Sequence, residues 1–327
     1  MPDARILTSI APSAWEHPAD RAALNTLRSL PGFDEVLRKV MGLIGERGVR
    51  HLFTANAVRV GPGQRPRLDA LYTEVLATMD WPERPELFVS QTPVANAMAV
   101  GFDKPFIVVN SGALALLARD EQRVILGHEL GHVMSGHSTY TTLALIILNL
   151  GFNTIPGLGL IALPIQLALM EWSRKAELSS DRAGLLATQD PESSMRLFLK
   201  FAGGTPSDDE TSLEEFMTQA REYDTGGTAI DSIFKVLNVA FRTHPFNTMR
   251  AAELQRWVAA GEYDRIMRGE YTRRGSEAKD RPIREDMTAA KDYYVNEAKE
   301  LARDVKSAAK KVASAAADAF RGGKPGS

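Results

Sequence analysis

Apolar residues recur three and four positions apart through much of the first quarter of the chain. This spacing places them on one face of a helix, so it predicts amphipathic helices rather than strands. Between two of these helices, Val58–Gly63 ends in Gly-Pro-Gly and predicts a loop, and residues 1–17 predict an irregular start. The predicted helices are Pro18–Leu30, Phe33–Glu46 and Arg67–Met79.

The pattern then changes to short runs rich in β-branched and aromatic residues. Glu86–Ser90 and Pro105–Val109 flank Asn96–Val100, and together they predict a small sheet. Helical spacing returns after Ser111, with one helix predicted over Gln122–Ser135. A mostly helical chain with one small sheet is typical of the α+β class.

Two later segments differ from the rest in composition. Residues 203–232 are polar and rich in Gly, Thr and acidic residues, which predicts a surface loop with a short helix. In the tail, residues 276–327, apolar positions three and four apart lie among Lys, Arg, Asp, Glu and Ala. They predict an amphipathic helix with a disordered end. Two roles stay open for this helix: packing on the rest of the chain, and contact with a partner or a membrane surface.

Charge and cysteine content narrow the functional classes. The 39 Lys and Arg nearly balance the 41 Asp and Glu, for a net charge of −2. Nucleic-acid binding proteins usually carry a basic excess, so we expect no nucleic-acid partner. The absence of cysteine excludes disulfides, iron–sulfur clusters and Cys-based zinc fingers. The first residues show no basic segment followed by an apolar stretch, which predicts no signal peptide and a cytoplasmic location.

One short motif carries recognisable chemistry: residues 128–132 read His-Glu-Leu-Gly-His. On a helix, residues four apart point to the same side, so the imidazoles of His128 and His132 can hold one Zn²⁺ ion. Glu129 lies about 100° round the helix from His128, beside the metal. There it can take a proton from the water molecule that the metal activates.

A catalytic zinc site needs a third protein ligand, which in a chain without cysteine must be His, Asp or Glu. His137 is near in sequence, but it would face away from the metal if the helix continued that far. It is therefore expected at the helix end or as a partner of a ligand. Glu177 is the better candidate, because Asp181 follows one turn later and can accept the outer N–H of a ligand imidazole. Ala183-Gly184 then suit close helix packing.

His244 is a further candidate, because it directly precedes Pro245 and is therefore held in extended or turn geometry. In that position it can donate a hydrogen bond to the oxyanion that forms when water attacks a carbonyl group. A loop histidine with an ordinary structural role is the alternative.

These motifs and their order resemble peptidase family M48, which includes prenyl-protein endopeptidases and HtpX-like heat-shock proteases. The resemblance covers about residues 60–260. It implies an α+β fold: a mostly helical zincin-type (gluzincin) catalytic domain with a small mixed sheet and a C-terminal helical tail. The sequence shows no transmembrane helices like those of the HtpX-like and prenyl-protease members, which predicts a soluble or peripheral member.

The resemblance also implies a role for each matching residue. One Zn²⁺ per chain would be held by His128, His132 and Glu177. Catalysis would use Glu129 as general base and His244 to stabilise the transition state. The residues that support the ligands would be Asp181 and Arg250. An edge strand that pairs with an extended peptide would be formed by Asn96, Ala97, Met98 and Ala99.

We therefore expect three regions: an N-terminal helical region (1–60), the peptidase domain that the resemblance implies (61–262), and a C-terminal region (263–327) with the amphipathic helix and its disordered end. Within the domain, residues 141–170 contain no charged residue. A single membrane span there would separate the zinc ligands, and two spans need about 40 residues. The segment therefore predicts a helical hairpin, either packed within the protein or in peripheral contact with a membrane.

The leading functional hypothesis is a zinc-dependent endopeptidase acting on unfolded or extended protein substrates, with protein quality control as one role. The alternative is a weakly active or inactive relative that binds peptides as a scaffold. A peptide deformylase is excluded because it needs a cysteine ligand. A thermolysin-like enzyme fits less well, because its third ligand follows the motif about half as far along the chain.

Overall fold

The computed structural model describes residues 4–150, 162–207, 210–225 and 245–276. These ranges are mostly helical, in agreement with the predicted fold class. In chain order, their α-helices are α1 (Pro18–Ser29), α2 (Phe33–Thr54), α3 (Pro66–Thr78), α4 (Ser111–Leu116), α5 (Arg119–Met134), α6 (Ser138–Leu150), α7 (Ala162–Thr188), α8 (Pro191–Ala202), α9 (Leu213–Thr225), α10 (Asn247–Ala259) and α11 (Glu262–Met267).

A single mixed sheet is formed by the strands of the described ranges. Its order is β1-β2-β4-β3, in which β2 and β4 are parallel and the two outer strands are antiparallel to their neighbours. This order places β3 at one edge, where no further described strand pairs with it. The strands are β1 (Ala57–Arg59), β2 (Glu86–Ser90), β3 (Ala97–Val100) and β4 (Phe106–Asn110).

The sheet lies between two apolar layers, because alternate side chains of a strand point to opposite faces. On one face, residues such as Ile107 and Val109 pack with α3, α5 and α8. On the other face, Phe106 and Val108 pack with α1, α2 and α6. Helix α7 contributes to both layers and so connects them.

Helices α5 and α7 pack antiparallel and very closely. A Cβ atom built on Gly127 would lie 2.3 Å from Cβ of Ala187, and one on Gly131 would lie 2.5 Å from Cβ of Ala183. On α7, a Cβ on Gly184 would lie 2.9 Å from the carbonyl oxygen of Val124. Small residues therefore face each other along the contact and let the two helix axes approach.

Most predicted elements agree with the structure to within a few residues. The loop predicted over Val58–Gly63 is partly wrong, because Ala57–Arg59 pairs with β2 as a short edge strand. The helix predicted to end at Glu46 continues to Thr54, with a kink at Gly45, where φ is +64°. The predicted short helix within residues 203–232 is α9, whereas the predicted tail helix lies outside the described residues.

The uncharged segment supplies α6 and the start of α7, and the link between them, residues 151–161, lies outside the described residues. Leu143, Ile147, Ile165 and Leu169 are buried in the layer that also holds α1 and α2. None of the described helices is both long enough and apolar enough to cross a membrane. The second arm of the predicted hairpin continues without a break into the helix that carries Glu177.

The close α5–α7 contact predicts a specific pair of mutational effects. Gly127→Ala should lower the free energy of unfolding by about 1–3 kcal/mol, because the added methyl group overlaps Ala187. Adding Ala187→Gly should recover most of this loss. Urea denaturation of the metal-free variants measures both.

The matched control is Gly42→Ala in α2, where nothing lies within 4 Å of the added atom. We expect this variant to gain about 0.4–1 kcal/mol, since alanine restricts the unfolded chain. Equal stability of Gly127→Ala and the wild type would contradict the close contact.

Candidate metal centre

Three side chains from two helices converge on one buried point. Nε2 of His128 and Nε2 of His132, both on α5, lie 3.2 Å apart. On α7, Oε2 of Glu177 lies 3.5 Å from Nε2 of His128, and its Oε1 lies 3.3 Å from Nε2 of His132. One potential ligand atom of each residue lies within 4.8 Å of the other two. Two imidazole nitrogens and a carboxylate are a donor set that suits a divalent metal ion, so the residues fit one.

The outer nitrogen of His128 is held by an ionised aspartate. Nδ1 of His128 lies 3.0 Å from Oδ1 of Asp181. Arg250 donates to both oxygens of that carboxylate, over 2.9 and 2.5 Å. Burial would raise the pKa of Asp181, but the charge of Arg250 holds it below its usual value. A proton on Nδ1 of His128 therefore points at Asp181, which leaves the Nε2 lone pair for a metal.

The two histidines of the centre differ in their affinity for protons. Burial would lower the pKa of His128, but its hydrogen bonds with Asp181 and Glu177 raise this pKa to about 10. For His132, burial is the largest effect and lowers the pKa to about 4. At neutral pH the metal-free His128 therefore carries a second proton, on Nε2 beside Glu177, and a metal ion would have to displace this proton.

A cleft of about 230 Å³ leads to this centre. Glu129 is buried and lines the cleft beside His128 and Glu177. The cleft also has an apolar wall, formed by Val124, Ile125, Leu197, Phe201 and Phe246.

A smaller cavity of about 60 Å³ lies on the side of His132. Its polar wall includes Glu129 and Glu177, which line both spaces, and Ala144 of α6 lies in its apolar wall. The residues Asn96 to Ala99, of which the last three belong to the edge strand β3, run along it, and Asn96 and Ala97 also line the larger cleft.

The structure brings together most of the predicted site residues. These residues line one or both of the two cavities: His128, Glu129, His132, Glu177, Asp181, Arg250 and residues 96–99. His244 lies outside the described residues, while the following Pro245 lines the larger cleft.

His137 does not continue the helix of the metal motif. Helix α5 ends at Met134, and Gly136, with φ of +69°, reverses the chain. Nδ1 of His137 then lies 3.1 Å from Nδ1 of His132. This geometry fits the expectation that His137 lies at the end of the helix and contacts a metal ligand.

Sequence reasoning missed Asp20, whose Oδ2 lies 3.1 Å from Nε2 of His137. It also missed the aromatic wall residues Phe201 and Phe246. No local signal marks these side chains, because only the tertiary fold brings α1, α8 and α10 to the centre.

The protonated state of His128 predicts that metal binding releases protons. Because the metal must replace the proton on His128, affinity for a divalent ion should rise with pH between about 6 and 9, by up to about tenfold per unit. Titration calorimetry in buffers of different ionisation enthalpy should find about one proton released per ion near pH 7. Binding without proton release would contradict the assigned pKa.

Comparison with known proteins gives the chain a family. A sequence model described as "Peptidase family M48" matches residues 62–258. "Plastoglobule-localized metallopeptidase 48, chloroplastic" of Arabidopsis thaliana is 34% identical over 259 residues, which cover 78% of this chain and 75% of the relative.

Two bacterial relatives are more distant or match over less of their length. A "Protease HtpX homolog" of Moorella thermoacetica is 35% identical over 28% of this chain and 31% of its own length. Another of Bifidobacterium longum is 28% identical over 61% of this chain and 72% of its own length. No solved structure gives a significant match. Because the family model matches more than half of the chain and the Arabidopsis relative is 34% identical over 78% of it, the chain belongs to peptidase family M48, a family of metal-dependent peptidases.

Proposed function

We propose that this protein is a zinc-dependent endopeptidase that cleaves peptide bonds within extended or unfolded protein substrates. The observation that carries this proposal is the buried set of His128, His132 and Glu177, which lies where two cavities meet that Glu129 also lines. Membership of a peptidase family supports the reaction class, and the geometry supports the roles of the residues.

The metal that best fits the donor set is zinc. Three neutral or anionic N and O ligands that leave one position for water or substrate are typical of hydrolytic zinc sites. When bound, the ion would polarise the substrate carbonyl and lower the pKa of a water molecule. His128, His132 and Glu177 would hold one such ion per chain.

Glu129 is the proposed general base. It follows directly after the first ligand on α5, so its carboxylate lies at the cleft wall beside the ligands rather than among them. It would take a proton from the attacking water and pass it to the nitrogen of the leaving amine. Its burial beside an apolar wall excludes bulk water from this transfer.

The substrate would bind as an extra strand along β3. This strand is at the sheet edge, and residues 96–99 pass both cavities on either side of Glu129 and Glu177. An extended peptide paired there would cross the centre and continue in both directions. Space on both sides supports internal cleavage rather than trimming of a chain end.

Three further residues would prepare the centre for catalysis. Asp181 would hold His128 in the tautomer that binds the metal, and Arg250 would keep Asp181 ionised and lie close to Glu177, at 3.4 Å from its Oε2. His244, which lies outside the described residues, is proposed to donate a hydrogen bond to the oxyanion.

A role in protein quality control is the broadest extension of this proposal. Two bacterial relatives are named "Protease HtpX homolog", which gives proteolysis as their activity and specifies no substrate. The alternative is a peptide-binding scaffold with slow or no cleavage. Turnover of an unfolded protein that a chelator abolishes and zinc restores would distinguish the two.

We place the protein in the cytoplasm, with membrane contact through residues 141–170 as a second possibility. Most described apolar side chains of this segment are buried, but Leu148 and Leu167 are 37% and 45% exposed. The Arabidopsis relative is named as plastoglobule-localized, a location other than the cytoplasm.

The central prediction of this proposal concerns Glu129→Gln. The amide keeps the shape of the side chain but cannot accept the proton, so hydrolysis of an unfolded protein should fall by about 10²–10⁴-fold. Zinc content, measured by elemental analysis, should stay at the wild-type level.

Asp120→Asn is the matched control, because it removes a carboxylate from the first turn of the same helix, away from the cleft. It should retain wild-type activity. Full activity of Glu129→Gln would refute the assignment of the general base.

A further inference from the structure

A chain of buried polar groups begins at His132 and ends on the N-terminal helix. Nδ1 of His132 lies 3.1 Å from Nδ1 of His137, and Nε2 of His137 lies 3.1 Å from Oδ2 of Asp20. The hydroxyl of Ser179 donates to the same oxygen over 2.6 Å. Backbone N–H of His17 in turn donates to Oγ of Ser179 over 2.9 Å. All five residues are buried.

The direction of these hydrogen bonds is determined at the end far from the metal centre. The Ser179 oxygen accepts from the backbone N–H of His17 and donates its own proton to Oδ2 of Asp20. An ionised carboxylate can only accept, so the contact between Oδ2 and His137 requires a proton on Nε2 of His137.

The remaining bond links the protonation of the two histidines. Of the two facing Nδ1 atoms one must donate and the other accept, so a neutral His137 with its proton on Nε2 places the proton of His132 on Nδ1. Nε2 of His132 is left with its lone pair directed at the point shared with His128 and Glu177. A proton on that Nε2 would prevent it from binding a metal.

Asp20 is an unusual residue for a purely structural role. It is 1% exposed, and its second oxygen, Oδ1, has no hydrogen-bond partner in the part of the chain that the structure describes. A buried carboxylate with one unsatisfied oxygen lowers stability. Asp20 also precedes the region matched by the family model, residues 62–258.

We propose that His137 and Asp20 are positioning residues that hold His132 in its metal-binding tautomer. This inference rests on the proposed zinc site. The N-terminal helix would thus complete a centre whose ligands all lie in the matched family region. The arrangement mirrors that of Asp181 and Arg250 on the other histidine ligand.

Two substitutions at position 137 test the relay, by which we mean the hydrogen bonds that run from Asp20 through His137 to His132. His137→Gln retains one acceptor and one donor on a side chain of similar reach, so its zinc affinity should stay within about threefold of the wild type. His137→Leu fills similar space without polar atoms and should weaken zinc binding by about 10–100-fold. Competition with a chromophoric chelator measures both affinities, and Asp20→Asn should weaken zinc binding in the same direction as His137→Leu.

Ser180→Ala is the control, because Ser180 is a buried neighbour on α7 whose Oγ has no hydrogen-bond partner among the described residues. Its zinc affinity should be unchanged. Thermal melting of the metal-free variants shows whether any loss of affinity reflects unfolding. Equal affinities of His137→Gln and His137→Leu, both folded, would overturn the relay.

Nitrogen-15 NMR of the zinc-loaded wild type gives a second, independent readout. We expect His132 protonated at Nδ1 and His137 at Nε2, and a His137 proton on Nδ1 would contradict the inference. A wild type that binds no zinc would instead refute the proposed function, so the two failures can be told apart.

Discussion

The candidate metal centre depends on how closely α5 approaches α7. His128 and His132 are contributed by one helix and Glu177 by the other, so the distance between the helices sets the distance between the ligands. Glycines 127 and 131 face alanines 187 and 183 across this contact. With larger residues at these positions the helices would separate, and the carboxylate would move away from the imidazoles.

Burial of so many charged groups has to be offset by pairing, because an isolated buried charge is very unfavourable. Around His128, Asp181 and Arg250 form a nearly closed set of hydrogen bonds. Around His132, the partners are His137 and, beyond it, Asp20. In the metal-free protein the proton on His128 balances part of the negative charge, and a divalent ion would take over that role.

Local patterns in the sequence are sufficient to predict much of this architecture. The spacing of His128 and His132 and the turn between Glu177 and Asp181 are properties of single helices, and α5 and α7 contain them as predicted. The three strands of the predicted sheet are also present. Such features depend on side-chain periodicity within one element, which the sequence displays directly.

The remaining features depend on contacts between distant segments. Residues 57–59 become a strand only because β2 offers an edge, which a local pattern beside Gly-Pro-Gly does not show. Asp20 reaches His137 only when α1 packs on α7, with more than a hundred residues between them in sequence. The proposed roles of these residues therefore rest on geometry.

The measurement that tests the central claim most directly is zinc content of the purified protein by elemental analysis. The account predicts one zinc per chain in the wild type and almost none in Glu177→Ala, and an unchanged zinc content in Glu177→Ala would contradict it.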